Sequence, residues 1–185
     1  MISGDRLPTI ETPRLRLRWM EARDVPALFE IFGDAETVRY WSRPALRDLG
    51  EAEGYLADIH RRFAEHSLYQ WGVAKRDDDR VIGTCSLFDL SAPHKRAEIG
   101  FAIHRAEWRK GFASEASGAI AQYAFDVLRL HRLDADVDPR NHGSIRCLEG
   151  LGFQKEGYAR ECYHVGDEIQ DSVLYGLLAR ELHRR

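Results

Sequence analysis

The segment Trp108-Arg109-Lys110-Gly111-Phe112-Ala113-Ser114-Glu115-Ala116 joins two cations and a glycine to the start of the longest helical pattern in the chain. A helix N-terminus leaves backbone N–H groups without partners and carries the positive end of the macrodipole. Glycine lets an anion approach the backbone closely. Arg109 and Lys110 add charge at the same point. Together these features describe a phosphate cradle. A helix that simply opens on a glycine beside basic residues gives the same pattern, and both readings stand at this level. Neither GxxxxGK[ST] nor GxGxxG occurs, so the P-loop and the dinucleotide fingerprint are absent. Asn141, two residues after Pro139, reads as a helix N-cap.

Other reactive side chains point to packing. Cys147 has no adjacent histidine or acidic orienter, which favours a packed thiol over a covalent nucleophile. His104, His131, His142 and His164 lack metal-ligand spacing, so no metal site is expected. The run Asp77-Asp78-Asp79 reads as a solvated turn.

The elements that must hold these residues follow from periodicity. Residues 14–19 alternate polar and apolar as a half-buried strand does. Pro26 and the acids before it start a helix carrying Val25, Leu28, Phe29 and Phe32. Residues 33–50 hold Tyr40-Trp41 and Pro44 and read as a short helix and a loop. From residue 51 to about 66, Ala52, Leu56, Ile59 and Phe63 share one helical face. Strands are expected at 69–74, 81–87 and 97–103, the first two joined by a hairpin and the next reached through the turn Ser91-Ala92-Pro93-His94. Residues 111–128 carry a helical stripe, 132–137 a strand, and 141–151 a short helix closed by Gly152. Two last strands fall at roughly 153–160 and 169–177. A strand–helix–strand crossover joined to hairpins predicts an α+β (mixed α/β) fold: a mixed, mostly antiparallel sheet flanked by helices.

Composition bounds the partners. The 185 residues predict one domain over 1–185, and 44 % hydrophobic with 31 % charged residues describe a globular chain. A net charge of -3 argues against a nucleic-acid partner. No apolar run reaches the roughly 20 residues of a membrane span. Cys85, Cys147 and Cys162 form no CxxC and no even set, so a disulfide framework is not expected. The N-terminus lacks the apolar core of a signal peptide, and a cytoplasmic protein, monomer or homodimer, is expected.

Trp108 to Ala113 resembles the acyl-CoA pyrophosphate loop of GNAT acetyltransferases, [QR]xxGx[GA], with Trp in place of the first residue. That aromatic is usual in the branch that includes the ribosomal-protein N-terminal acetyltransferases RimJ and RimL. Three more segments are similar to that branch, in order. They are the first strand Thr12-Pro13-Arg14-Leu15-Arg16-Leu17-Arg18, the NxxSxxxxExxGF helix from Asn141 to Phe153, and the D-x-V-x-Y strand Asp171-Ser172-Val173-Leu174-Tyr175. The resemblance covers about residues 11–180.

It implies N-acetyl transfer from acetyl-CoA (coenzyme A) to an amine, either a protein N-terminus or a small-molecule amine. Backbone N–H groups from Arg109 through Lys110, Gly111, Phe112, Ala113 and Ser114 would hold the pyrophosphate. The strand Phe101-Ala102-Ile103 would pair with the pantetheine amides and donate to the thioester carbonyl, and Asn141 would bond the cofactor arm. An unperturbed lysine is roughly 0.04 % neutral at pH 7 and an α-amino group roughly 10 %, so catalysis calls for a base. Glu98, thirteen residues before Gly111, lies near the base glutamate of the histone acetyltransferase branch. It is the candidate, with a structural carboxylate as the alternative. Many family members use a tyrosine seven residues after the helix Asn as general acid. Leu148 stands there, and Ser144, one turn after Asn141, is the substitute. Two further readings remain at this level. One is a catalytically inactive CoA-binding sensor or scaffold, and the other is a different acyl donor such as succinyl-CoA, which calls for an extra cation near the acyl end. The acceptor loops are expected at residues 33–50 and 89–96.

Overall fold

Hydrophobic alternation and helical stripes resolve into eight strands and four helices among residues 2 and 4–183, which the computed structural model describes. The N-terminal part holds β1 (Ile10–Glu11), β2 (Leu15–Arg18), α1 (Val25–Phe32) and α2 (Leu49–Ala64). The middle holds β3 (Leu68–Lys75), β4 (Val81–Ser91), β5 (Arg96–Ile103) and α3 (Phe112–Asp126). The C-terminal part holds β6 (Arg132–Val137), α4 (His142–Leu151), β7 (Gln154–Val165) and β8 (Glu168–Leu178). One sheet runs in the order β1-β2-β3-β4-β5-β6-β8-β7. All its pairings are antiparallel except β5 with β6. That parallel pair needs a crossover, which α3 supplies.

The parallel ladder is short. Arg96, Ala97 and Glu98 pair with Arg132, Leu133 and Asp134, and there the register stops. Beyond it β5 stays with β4 as far as Gly83↔Ile103, while β6 stays with β8 as far as Val137↔Val173. Each strand follows its outer neighbour, and the two part.

The two faces of the sheet carry separate cores. One gathers Trp71, Leu87, Ile99, Leu133 and Ala135 under α3 and α4, through Ala116, Ile120, Leu148 and Leu151. The other packs Val25, Leu28 and Phe32 of α1 and Ala52, Leu56 and Ile59 of α2 onto Leu68, Ala74, Val81 and Ala102. Trp71 is fully buried, and its indole N–H finds the Pro8 carbonyl at 2.8 Å. Burying a side chain of that size is worth roughly 4–6 kcal/mol by area.

Four expectations change. Residues 34–48 form turns and bends with no helix before Leu49. Asp34 accepts from both the backbone N–H and hydroxyl of Thr37, at 3.1 and 2.6 Å, fixing a turn at the start. Asp48 then caps α2 by accepting from Glu51 N–H at 2.9 Å, which moves the helix start two residues earlier than the apolar stripe implied. The acidic run is not wholly solvated either. Asp79 bonds Arg16, Arg18 and Arg23, and Arg18 forks onto buried Asp24 with two bonds of 2.8 Å. These arginines hold the Asp79 carboxyl below its ordinary value although burial opposes them. The late strands also run longer than expected, with β7 reaching Val165. No helix among the described residues is long and apolar enough to cross a membrane.

Gly152 ends α4 in the left-handed region at φ 103°, and a Cβ there would lie 2.3 Å from the Glu181 carbonyl oxygen. Gly152→Ala should therefore destabilise the protein by about 2 kcal/mol or more. Urea denaturation checks this; a midpoint equal to wild type would show that the segment after β8 shifts freely.

Candidate functional site

The parting of β5 and β6 opens a cavity of about 350 Å³. Alternation along β5 decides what enters it. Ala97 and Ile99 point into the core under α3 and α4, so Glu98 and Gly100 point to the opposite face, where a Cβ on Gly100 would touch the Phe88 ring. Glu98 is half-buried on the cavity wall. Its cross-strand partner on β6 is Asp134, with Asp136 two residues on. Burial raises the Glu98 carboxyl to about 7, and repulsion from Asp136, Asp89 and Asp134 adds to the shift against Arg96. The result is a carboxylate poised to exchange a proton near neutrality.

On the α4 side of the cavity lie Asn141 and Ser144. Asn141 is the N-cap, its side-chain oxygen accepting from Ser144 N–H at 3.1 Å. Phe101 of β5 also lines the cavity. Glu98, Phe101, Asn141 and Ser144 are thus brought together. Ile103 is buried in the core at the far end of β5, and residues 109–114 lie beyond it.

That far end has its own geometry. Arg109 and Gly111 sit in the left-handed region, at φ 63° and 82°, on either side of Lys110. Successive residues of this kind turn their N–H groups to one side and form an anion-binding concavity. Helix α3 has no side-chain cap, and its first turn closes with Glu115 N–H on Gly111 O at 3.1 Å, so the amides of Phe112, Ala113 and Ser114 precede the ladder. Trp108 pins the loop to β5, its indole N–H donating to Ile103 O at 2.6 Å. Arg14 of the segment before β2 braces it by donating to Lys110 O at 2.8 Å and pairing with Glu115. The Lys110 ammonium itself is engaged by Glu107 at 2.8 Å.

An acyl-CoA fits these residues on three counts. The cradle is open at the α3 N-terminus, β5 past Glu98 has no β6 partner, and the cavity lies at the other end of that free edge. The stretch from Glu98 to Ile103 spans about 17 Å as extended strand, a run along which an amide-bearing arm can pair.

Two cavity residues escaped sequence reasoning. Tyr163 sits on the wall with its hydroxyl donating to Asp136, and burial with that bond pushes its pKa up. The signal for it was the length of β7, which was expected to end before residue 161. Arg43 comes from the turn-rich segment between α1 and α2, where no periodicity reports a side chain's direction. Tyr40 and Trp41 line the cavity. Cys147 is buried against the hydroxyls of Ser114 and Ser117, at 3.5 and 3.4 Å.

A splayed parallel pair with an amide cradle at the crossover helix defines an acyl-CoA transferase architecture, and the comparisons agree. Residues 14–154 match the acetyltransferase (GNAT) domain family. The chain is 35 % identical over 175 residues to the uncharacterized N-acetyltransferase p20 of Bacillus licheniformis, covering 95 % of this chain and 98 % of that one. It is 25 % identical over 159 residues to the spermidine N(1)-acetyltransferase of Escherichia coli, covering 86 % and 83 %. A GNAT acetyltransferase structure from Bacillus anthracis superposes with a TM-score of 0.84 at 26 % identity, covering 94 % and 100 %. The chain belongs to the GNAT acetyltransferase family and is an acetyl-CoA-dependent N-acetyltransferase.

Two outcomes follow. Gly111→Val should abolish CoA binding while circular dichroism stays native, since a β-branched residue disfavours the left-handed geometry and fills the approach. Wild-type affinity in a folded variant would move the phosphate site elsewhere. Glu98 binds its proton more tightly folded than unfolded, so it favours the folded state at low pH. That contribution fades as pH rises from the exposed-glutamate value of about 4.3 through about 7. Glu98→Gln should remove this loss and melt above wild type at pH 8, whereas a lower melting temperature there would mark a structural carboxylate.

Proposed function

We propose that this enzyme transfers the acetyl group of acetyl-CoA to a primary amine by direct attack in a ternary complex, with Glu98 as general base. One observation carries the reading. A half-buried carboxylate with no hydrogen-bond partner among the described residues lines the cavity at the end of an unpaired strand edge, raised to about 7.

Bound acetyl-CoA supplies a thioester carbonyl open to a neutral amine. The amides of residues 109–114 hold the pyrophosphate, and Phe101 and Ile103 carry the strand edge that holds the arm. Asn141 accepts or donates beside its thiol end while capping α4. Glu98 accepts the ammonium proton, directly or through a water. Ser144, on the same wall, is the hydroxyl proposed for the departing thiolate, a group whose pKa of about 8.5 asks for little help. Tyr163 is committed to Asp136 and orients that carboxylate beside the base.

Trp108 and the segments from Asn141 to Phe153 and from Asp171 to Tyr175 support a place in the RimJ/RimL branch, hence a protein N-terminus as one acceptor. The spermidine acetyltransferase relative supports a small-molecule amine as the other. We read residues 1–185 as a single cytoplasmic acetyltransferase domain, monomer or homodimer.

Saturating acetyl-CoA, at a hundredfold excess over its dissociation constant, should add about 2.7 kcal/mol of stability. An unchanged melting temperature would contradict the cradle. Glu98→Gln should lower kcat by roughly 10²–10⁴-fold with little change in acetyl-CoA binding. Wild-type activity should rise with pH through about 7 as the carboxylate forms, and the variant's deficit should shrink at high pH, where the amine is already neutral. A deficit constant across pH would remove Glu98 from the chemistry.

A further inference from the structure

The charged groups of the cavity do not balance. Each aspartate on its wall already has a partner. Asp58 pairs with Arg61, Asp136 accepts from Tyr163, Asp138 pairs with Arg140, and Asp171 accepts from the Glu161 N–H at 2.8 Å. Among the described residues, three charged wall groups have no ion pair, Glu98, Arg43 and Arg62, and the one side-chain hydrogen bond of Arg43 goes to the neutral Tyr55 hydroxyl. Glu98 is accounted for by the amine proton. Two cations are left over.

Arg43 is also held in place. Its guanidinium carbon lies 4.2 Å from the Tyr55 ring centre and 5.5 Å from those of Phe32 and Trp41. Rings on several sides hold the fork and cover its Nη2, which strengthens any bond that nitrogen then makes. Yet its Nη2 is buried without a hydrogen-bond partner. Leaving such a donor unmet in the free protein is costly unless a ligand meets it. The Ser172 hydroxyl, on a residue only 1 % exposed, is a second unmet polar atom of the same wall. Arg43 rises from the α1–α2 face, the face toward which Glu98 points. The amide cradle belongs to α3, on the other side of the sheet. The unmet cation therefore sits with the base and the acceptor.

We infer that the acceptor is an amine that also carries a carboxylate, with the carboxylate on Arg43 and Arg62 and the amine at Glu98. This narrows the acceptor of the function proposed above and rests on it. A carboxylate suits the fork, since guanidinium and carboxylate match in two parallel bonds. A polycation such as a polyamine would instead meet two unneutralised arginines.

The test compares short ω-amino acids with their ω-amino amides, together with spermidine, as acceptors for the full-length enzyme with acetyl-CoA, read by thiol release. The acids should exceed the amides in kcat/KM by about tenfold to a hundredfold, the range of a hydrogen bond to a charged group. Arg43→Gln should bring that ratio close to one by raising KM for the acids, with KM for acetyl-CoA little changed. Arg43→Lys should keep part of the preference, as a point charge without the fork. Should circular dichroism show Arg43→Gln misfolded, Arg62→Gln carries the same comparison. Amides or spermidine used as well as the acids would overturn the inference. So would Arg43→Gln slowing acids and amides alike, or altering only the choice between acetyl-CoA and succinyl-CoA, which would assign the cation to the acyl donor. If acetyl-CoA stabilises the protein but no amine is acetylated, the transferase reading fails on its own. Calorimetric titration into the CoA-saturated protein then decides the anchor. Binding of acids over amides supports it, and equal or no binding overturns it.

Discussion

Everything at this site depends on a hydrogen-bond ladder that stops after three residue pairs. Strands β5 and β6 begin as ordinary parallel neighbours and then separate, because β4 holds one and β8 the other for the rest of their lengths. The sheet acquires an edge in its interior. Backbone donors and acceptors there need partners, and an edge of that kind accepts an extended amide-bearing ligand as it would accept a strand. The two cores, one on each face, keep the halves from sliding together, so the gap is built into the packing.

The same separation organises the charges. Glu98 stands at one end of the free stretch of β5, which is about 17 Å long as extended strand, and the turn before α3 lies past the other end. That length exceeds the Debye length of about 8 Å at physiological salt. Neither group neutralises the other. Glu98 answers to its burial and to Asp136, Asp89 and Asp134, none of which lies in the turn before α3.

Much of this was legible in the chain. The alternation of 132–137 and the helical stripe after Gly111 fixed the crossover, and the glycine marked where α3 starts. Asn141 read as a cap because its side chain competes for local amides, and it does cap α4. The neighbours of Glu98 were also present in principle. Leu133-Asp134-Ala135-Asp136-Val137 alternates, which sets both aspartates on one face. Their effect emerges only when the parallel register places Asp134 beside Glu98. Residues 34–48 resisted because short local bonds such as those from Thr37 to Asp34 close turns that leave no periodicity, while Arg43 is clamped between rings from two helices. Asp79 looked like a solvated turn because nothing local announces that three arginines of an earlier segment converge on it.

The cavity wall opposite α1 and α2 bears on how the molecule is made. Arg39, in the segment between the first two helices, reaches Glu168 at the start of β8, and Arg140 reaches the same carboxylate, at 3.1 and 2.6 Å. The first of these contacts spans 129 positions. Closing so long a loop is entropically expensive and comes late when a chain emerges N-terminus first. The helices whose rings surround Arg43 can collapse early onto β3 and β4, but the wall facing them waits until β8 has been translated. A nascent chain can thus be mostly folded and still present an open, unfinished mouth to its surroundings.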